Sequence, residues 1–123
     1  MNKLALIIED DEDLANIFAE ALRGIDFEVE NVIDGQSARG RLQSGSVPFL
    51  ILLDMHLPHV SGKDLLHEIK QDERFIKTWI MITTADARLA EEYRDQVDFA
   101  MIKPILFGQL RDIAARLKPK DEI

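Results

Sequence analysis

Carboxylates stand at two places where an apolar run of the sequence ends, and these acids are the first candidates for chemistry. Glu9 and Asp10 follow the run Leu4–Ile8, and Asp54 follows the run Phe49–Leu53. Carboxylates held within a few ångströms repel one another, and the repulsion raises their proton affinity. Mg²⁺ removes this conflict, because it prefers oxygen ligands and is usually held by one or two carboxylates together with phosphate oxygen. Glu9, Asp10 and Asp54 therefore form a candidate Mg²⁺ pocket.

Asp54 is the acid that local structure explains least. It follows five apolar residues, and a carboxylate at the end of a buried strand is costly unless it is paired or coordinated. With a metal ion beside it, such a carboxylate can attack phosphorus and carry an aspartyl phosphate. Phosphoryl transfer also needs positioning and charge neutralisation. Lys103 offers the positive charge, and the Thr84 hydroxyl can donate to a phosphoryl oxygen.

Each candidate also has an ordinary structural interpretation. Asp11, Glu12 and Asp13 fit a helix N-terminus, where negative charge favours the positive end of the helix dipole, and for these three acids the two interpretations stay open. Lys103 alone fits a surface lysine before a turn, and Thr84 alone fits a strand end by propensity. The joint occurrence of such residues at several strand ends favours the chemical interpretation.

The elements that must position these residues alternate between strands and helices. Apolar runs, continuous except for the alternating second one, predict buried strands at Leu4–Ile8, Phe27–Val32, Phe49–Leu53, Trp79–Ile82 and Phe99–Ile102. Helical patterns follow at Asp11–Arg23, Gln36–Gln43, Gly62–Gln71, Ala87–Arg94 and Leu106–Leu117. These repeats predict an α/β fold, a doubly wound five-stranded parallel sheet with helices on both faces. Ligands of such sheets bind beyond the carboxyl ends of the strands.

The composition bounds the classes of function. With 123 residues, 46% of them hydrophobic, the chain predicts one domain over residues 1–123, with a frayed tail at 118–123 (KPKDEI). The absence of cysteine excludes a disulfide scaffold, a zinc ribbon and a thiol nucleophile. A formal charge of −8 disfavours nucleic acid and anionic lipid as direct partners. We expect no membrane insertion and a cytoplasmic location.

Four stretches, taken in order, carry a resemblance to a known family. IIEDDEDL, LLDMHLPHVSG, ITTAD and MIKP resemble the receiver domain of two-component response regulators over essentially the whole chain. The resemblance implies a flavodoxin-like (βα)5 fold and phosphorelay signalling by a stand-alone, CheY-like module, a signalling domain rather than an enzyme. The phosphoryl donor would be a sensor histidine kinase or a histidine phosphotransfer protein, and the output would pass to an unidentified protein partner.

The resemblance also assigns the acceptor and the metal ligands. Asp54 would be the phosphoacceptor. Glu9, Asp10 and Asp54 would hold Mg²⁺, and the backbone carbonyl of His56 would complete the protein ligands. The same family pattern therefore names the acids that the residue types had already suggested, and it adds a carbonyl that they had not.

Further roles follow from the resemblance for residues around the acceptor. Thr84 would contact the phosphoryl group and report its presence, and Lys103 would pair with Asp54 or with the phosphate. Pro104 would follow in the cis form. His56 and Asp86, each two residues beyond a site residue, would tune the lifetime of the phosphate.

Two features depart from the family pattern. The usual aromatic residue three positions before the lysine is replaced by Ala100, with Phe99 one place earlier. The segment from Thr84 to Lys103 is also about one helical turn shorter than usual, and the shortening falls on the fourth helix. We therefore predict intact phosphorylation chemistry with an atypical output.

Two other functions remain as alternatives. A phosphorylation-independent pseudo-receiver would share the fold but lack the site, and the joint presence of the five site residues argues against it. A Mg²⁺-dependent phosphatase on a similar sheet would carry a second acid two residues after its nucleophile, where this chain has His56. His56, His59 and His67 have no cluster of ligands around them in sequence, and Mg²⁺ does not favour imidazole.

Overall fold

A computed structural model describes residues 3–122, with the backbone alone for Glu122. One parallel sheet has the strand order β2-β1-β3-β4-β5. The strands are β1 (Lys3–Ile8), β2 (Phe27–Val32), β3 (Leu50–Asp54), β4 (Trp79–Thr84) and β5 (Phe99–Ile102). The helices are α1 (Glu12–Arg23), α2 (Gly35–Gln43), α3 (Gly62–Gln71), α4 (Ala87–Tyr93) and α5 (Phe107–Ala115). Short 3₁₀ turns cover Glu73–Phe75, Arg94–Gln96 and Lys120–Glu122. The predicted fold class is confirmed.

The sheet separates two apolar cores because side chains alternate between its faces. On one face, Ile7, Leu52 and Met81 pack with residues of α1 and α5. On the other face, their strand neighbours pack with residues of α2, α3 and α4. β3 is buried along its whole length, which explains why its sequence is a continuous apolar run rather than an alternating one.

The chain reverses its direction of winding between β1 and β3. From β1 it moves outward to β2, then crosses to β3 and continues to β4 and β5. Crevices for ligands open at such a switch point, outside the carboxyl ends of the strands. The register pairs Ile8 with Leu53, so the acids that follow these residues lie side by side at the crevice.

Some element bounds differ from the sequence prediction, and the differences bear on the site. β3 and β4 extend to Asp54 and Thr84, so these residues belong to the strands that hold them. The fourth helix has only seven residues, in keeping with the shortening expected there. None of the helices within residues 3–122 is long and apolar enough to span a bilayer.

The end of the chain differs from the frayed tail expected from Lys118 onward. Trp79 Nε1 donates to the Lys118 carbonyl at 2.8 Å, and Lys120 Nζ lies 3.0 Å from Asp98 Oδ2. These contacts hold residues 118–121 against the start of β4, because the indole N–H needs an acceptor that the tail supplies. Ile123 lies outside the described residues.

Candidate functional site

Three carboxylates meet at the switch point. Glu9, Asp10 and Asp54 each offer an oxygen, and these oxygens lie within 4.8 Å of one another. Glu9 and Asp54 are 2% exposed, whereas Asp10 is open to solvent. Adjacent parallel strands bring two acids from distant parts of the sequence together, as the strand-end spacing predicted.

Lys103 provides the positive charge that faces this cluster. It follows β5, where its backbone N–H donates to the Thr84 carbonyl at 2.8 Å, and the peptide bond to Pro104 is cis as expected. Its ammonium lies 3.1 Å from Glu9 Oε1 and 3.6 Å from Asp54 Oδ1. One lysine thus serves two buried carboxylates, and the cluster keeps an excess of negative charge.

The pKa of Glu9 reflects this excess of negative charge. Burial raises the pKa of Glu9, and the charge of Asp54 raises it further, to about 7. The Asp11 backbone N–H, which donates to Oε2 at 3.2 Å, and the Lys103 ammonium offset only part of this rise. Oε1 is buried and contacts the Lys103 ammonium at 3.1 Å, the same ammonium that pairs with Asp54.

These observations test whether a divalent cation fits the cluster. The donors are carboxylate oxygens, which suit a hard ion such as Mg²⁺. Glu9 and Asp54 share the Lys103 ammonium, and the pKa of Glu9 is raised, so the protein alone does not fully neutralise the charge of the cluster. The residues therefore fit Mg²⁺. The carbonyl of His56 as a further ligand stays a prediction.

The loop after β3 holds Asp54 in place. The His56 N–H donates to Asp54 Oδ1 at 3.0 Å, and the Met55 N–H donates to the Thr83 carbonyl at 3.0 Å. At Gly62, where α3 begins, a Cβ would stand 2.5 Å from Met55 Cα and 2.6 Å from the Asp54 carbonyl. The absence of a side chain at Gly62 lets the start of α3 rest directly against the end of β3.

Thr84 is engaged by groups from two loops. His56 Nε2 lies 2.7 Å from Thr84 Oγ1, and the Asp86 N–H donates to the same oxygen at 3.0 Å. Asp86 also caps α4, accepting from the Arg88 N–H at 2.9 Å. The contact between His56 and Thr84 is absent from our sequence prediction. The one available signal was that both residues lie at or beyond the ends of neighbouring strands.

The three acids after Asp10 lie at the N-terminus of α1. Asp11 Oδ1 accepts from the Leu14 N–H at 3.1 Å and so caps α1. Glu12 and Asp13 are exposed in the first turn of that helix, where their charge favours the helix dipole. For Asp11, the capping interpretation is confirmed.

Ala100, at the position of the usual aromatic residue, and the preceding Phe99 lie on opposite faces of the sheet. Ala100 packs half-buried with the core beneath α2, α3 and α4. Phe99 points to the other face, where its ring lies 6.2 Å from that of Trp79. The neighbouring phenylalanine therefore cannot stand in for the missing ring, because a one-residue offset in a strand reverses the face.

Comparison with known proteins identifies a family and relatives that this chain resembles. The family model described as the response regulator receiver domain matches residues 5–115. The chain is 32% identical to the chemotaxis protein CheY of Pseudomonas aeruginosa, over 87% of this chain and 89% of CheY. It is 30% identical to a protein named FilR2 of Methanothrix harundinacea, over 94% of this chain and 81% of that protein.

Other relatives are longer than this chain. The phosphate regulon transcriptional regulatory protein PhoB of Rhizobium meliloti is 30% identical over 93% of this chain, which spans 53% of PhoB. The chain therefore covers about half of some relatives and most of others. Its similarity to PhoB concerns the aligned portion alone.

Solved structures share the fold. The Mn²⁺-bound form of response regulator Rcp1 is 25% identical with a TM-score of 0.83, over 95% of this chain and 98% of that one. A CheY-like receiver domain from Methylobacillus flagellatus is also 25% identical, with a TM-score of 0.78, over 93% of this chain and 97% of that one.

Proposed function

The chain belongs to the family of response regulator receiver domains, which act in phosphorylation-based two-component signalling, and from this premise we propose that Asp54 is its phosphoacceptor. The observation that carries the proposal is the convergence of three carboxylates with a lysine beside two of them. Asp54 combines burial at a strand end with a hydrogen bond from His56 and an ion pair to Lys103.

The proposed cofactor is Mg²⁺, held by Glu9, Asp10, Asp54 and the backbone carbonyl of His56. Support comes from the oxygen donors within 4.8 Å of one another and from the sharing of the Lys103 ammonium by Glu9 and Asp54. The Mn²⁺ in the solved form of Rcp1 supports a divalent cation in a domain of this fold. Such an ion, when bound, offsets the negative charge of the carboxylates and of the incoming phosphoryl oxygens.

The transfer itself exchanges one bond to phosphorus for another. A carboxylate oxygen of Asp54 bonds to the phosphorus of a phosphohistidine while the phosphorus–nitrogen bond breaks. The electron pair of the broken bond stays on the imidazole nitrogen, which takes up a proton. Because the transition state spreads charge over the phosphoryl oxygens, positioning and neutralisation carry most of the catalysis.

Two further side chains, Lys103 and Thr84, contact the phosphoryl group once it is on Asp54. The Lys103 ammonium, 3.6 Å from Asp54 Oδ1, neutralises charge that arrives on the phosphoryl oxygens. The Thr84 hydroxyl has one hydrogen to donate. If that hydrogen points to His56 Nε2 before phosphorylation, it must turn toward a phosphoryl oxygen after transfer. The hydrogen bond between Thr84 and His56 then breaks.

The partners follow from this chemistry. The donor is a phosphohistidine on a sensor histidine kinase or a histidine phosphotransfer protein, and the output passes to a protein whose identity the chain does not encode. Phosphorylation can shift the population of an active state only by its differential interaction with the two states, commonly about 1–3 kcal/mol. With Ala100 at the aromatic position, that shift must use another element than an inward-turning ring.

Intact-mass measurement after incubation with acetyl phosphate and Mg²⁺ tests the proposal. We expect one added phosphoryl group on the wild-type protein and none after chelation with EDTA. Asp54→Asn should abolish the addition. Asp13→Asn is the matched control, because Asp13 is an exposed acid of the first turn of α1 and lies outside the three-carboxylate cluster.

The same experiment separates the alternatives. Labelling that persists in Asp54→Asn would place the acceptor elsewhere and refute the assignment. A wild-type protein that takes no phosphoryl group but binds a partner would favour a pseudo-receiver. Rapid turnover of many phosphomonoesters would favour a phosphatase.

A further inference from the structure

β4 ends in two threonines, and the structure treats their hydroxyls differently. Thr84 Oγ1 contacts His56 Nε2 and accepts from the Asp86 N–H. Thr83 is 1% exposed, and its Oγ1 has no hydrogen-bond partner within residues 3–122. A buried hydroxyl without a partner destabilises the folded state and is rare in native proteins. We therefore expect the Thr83 hydroxyl to gain a hydrogen-bond partner in another state of the protein.

The sheet register places this hydroxyl beside the phosphoacceptor. Thr83 is the register partner of Asp54 on β3 and of Met101 on β5. Register partners on parallel strands direct their side chains to the same face. Met101 belongs to the core beneath α1 and α5, so the Thr83 side chain lies on that face, between the strand that carries Asp54 and the strand that leads to Lys103.

The path of Lys103 passes this position. Lys103 follows β5, and β4 lies between β5 and β3 in the sheet. Its ammonium nevertheless lies 3.6 Å from Asp54 Oδ1 and 3.1 Å from Glu9 Oε1. The side chain must therefore cross the carboxyl end of β4, where Thr83 stands. An ammonium has three hydrogens to donate, and a hydroxyl oxygen can accept one of them.

Building on the proposed Mg²⁺ site, we propose that Thr83 is a positioning residue whose hydroxyl accepts a hydrogen bond from the Lys103 ammonium when a divalent cation occupies the carboxylate cluster. The cation and the ammonium carry like charges, and both are drawn to Glu9 and Asp54. The ammonium withdraws along its own path toward β5, and the Thr83 hydroxyl lies on that path. Held there, Lys103 stays next to Asp54 for the arriving phosphoryl group.

Titration of the metal alone, Mg²⁺ by isothermal calorimetry, tests this role on the full chain. Thr83→Val keeps the shape of the side chain and removes the hydroxyl, whereas Thr83→Ser keeps the hydroxyl. We expect Thr83→Val to bind Mg²⁺ about tenfold more weakly than the wild type, a difference of about 1.4 kcal/mol. Thr83→Ser should stay within about twofold. The metal-free melting temperature of Thr83→Val should equal or exceed that of the wild type.

A second background identifies the partner of the hydroxyl. In Lys103→Met, where the ammonium is absent, adding Thr83→Val should leave the Mg²⁺ affinity unchanged, because the interaction energy of a contacting pair vanishes when one member is removed. Equal Mg²⁺ affinity of the wild type and Thr83→Val would overturn the inference and leave the proposed function standing. So would a tenfold loss that persists with Lys103→Met. Absence of Mg²⁺ binding by the wild type would overturn the proposed metal site itself.

Discussion

The amino and carboxyl edges of the same sheet both hold polar groups, and they differ in how those groups are paired. At the amino edge, Thr78 Oγ1 donates to the Pro48 carbonyl at 2.7 Å. Asp98 Oδ2 there accepts from the Ile80 N–H at 2.8 Å and pairs with Lys120 at 3.0 Å. Each polar group named here has a partner from the chain itself, so this edge contributes to stability.

The carboxyl edge leaves comparable groups incompletely paired. Glu9 and Asp54 share one lysine, and the Thr83 hydroxyl has no partner in the described residues. The contrast extends to proton affinity. Near the amino edge, hydrogen bonds from Arg74 lower the pKa of Asp72, whereas burial and the charge of Asp54 raise the pKa of Glu9. Incomplete pairing, rather than the presence of acids, therefore distinguishes the edge at which we propose the metal and phosphoryl site.

Among the tests that follow, the largest effect is expected from adding a methyl group where the start of α3 rests against the end of β3. In Gly62→Ala, the new Cβ would stand 2.5 Å from Met55 Cα and 2.6 Å from the Asp54 carbonyl. Both atoms belong to the backbone and cannot rotate away. We expect a loss of at least about 3 kcal/mol in the free energy of unfolding, measured by urea denaturation. A loss below about 0.5 kcal/mol would show that this edge tolerates added volume after all.

The next effect separates the two edges by pH. Because the pKa of Glu9 is about 7 in the fold and about 4.5 in its absence, the folded state binds more protons between these values. The metal-free protein should therefore lose stability, on the order of 2–3 kcal/mol, as the pH rises from about 4.5 to above 7. A carboxyl group whose pKa is lowered in the fold, such as Asp72, makes the protein more stable as the pH rises, and this effect is confined to more acidic solution. Thermal unfolding in EDTA across this range measures the effect.

Glu9→Gln isolates the contribution of this one carboxyl group. The variant carries no titrating group at position 9. Subtracting its pH profile from that of the wild type therefore cancels the contributions of the histidines and of the other acids, which both proteins share. Mg²⁺ should reduce the wild-type loss at pH values above about 7, since a divalent cation favours the ionised carboxylate. Parallel profiles for the two proteins in EDTA would contradict a raised pKa for Glu9.

Two threonines at opposite ends of β4 give a matched and smaller test. Thr78 and Thr83 are both 1% exposed, but only Thr78 has a hydrogen-bond partner for its hydroxyl within residues 3–122. Thr78→Val leaves the Pro48 carbonyl without its donor, and we expect a loss of about 1–2 kcal/mol in the free energy of unfolding. Thr83→Val should lose nothing in the metal-free protein. Equal losses for both variants would remove the distinction between the edges.

The smallest effect is expected away from both edges. A Cβ at Gly40, within α2, would meet no atom within 4 Å beyond the adjacent residues and the backbone of its own helix. Alanine has a higher helix propensity than glycine, so Gly40→Ala should stabilise the protein by about 0.5–1 kcal/mol. The melting temperature measures this change, and Mg²⁺ affinity should stay unaltered. The opposite response of Gly62→Ala would confirm that close backbone approach, and not helix propensity, governs the carboxyl edge.

Much of the fold follows from sequence because its signals are periodic. The buried run that ends in Asp54 predicts a central parallel strand, and parallel strands bring their carboxyl ends to one edge. Glu9, Asp54 and Lys103 could therefore be placed together from the sequence alone. Asp11 could not be assigned between capping and metal binding from sequence, because both roles favour an acid at the start of a helix.

What the sequence could not provide depends on loop paths and side-chain directions. The contact of His56 with Thr84 requires a loop conformation that has no periodic signature. Thr83 and Thr84 are the same residue type in adjacent positions, and only the face of the sheet separates their surroundings. The docking of residues 118–121 arises from Trp79, whose indole partner lies 39 positions away in the chain.

The position of Trp79 has a practical consequence for spectroscopy. It is the sole tryptophan of the chain, it opens β4, and its indole ring contacts Phe99, Lys120 and the Lys118 carbonyl. Thr84 lies five positions further along the extended strand, about 17 Å away. Its fluorescence should therefore report the docking of the C-terminal segment and change little when ions or phosphoryl analogues bind. A fluorescence assay of activation will need a reporter placed near the carboxyl edge of the sheet.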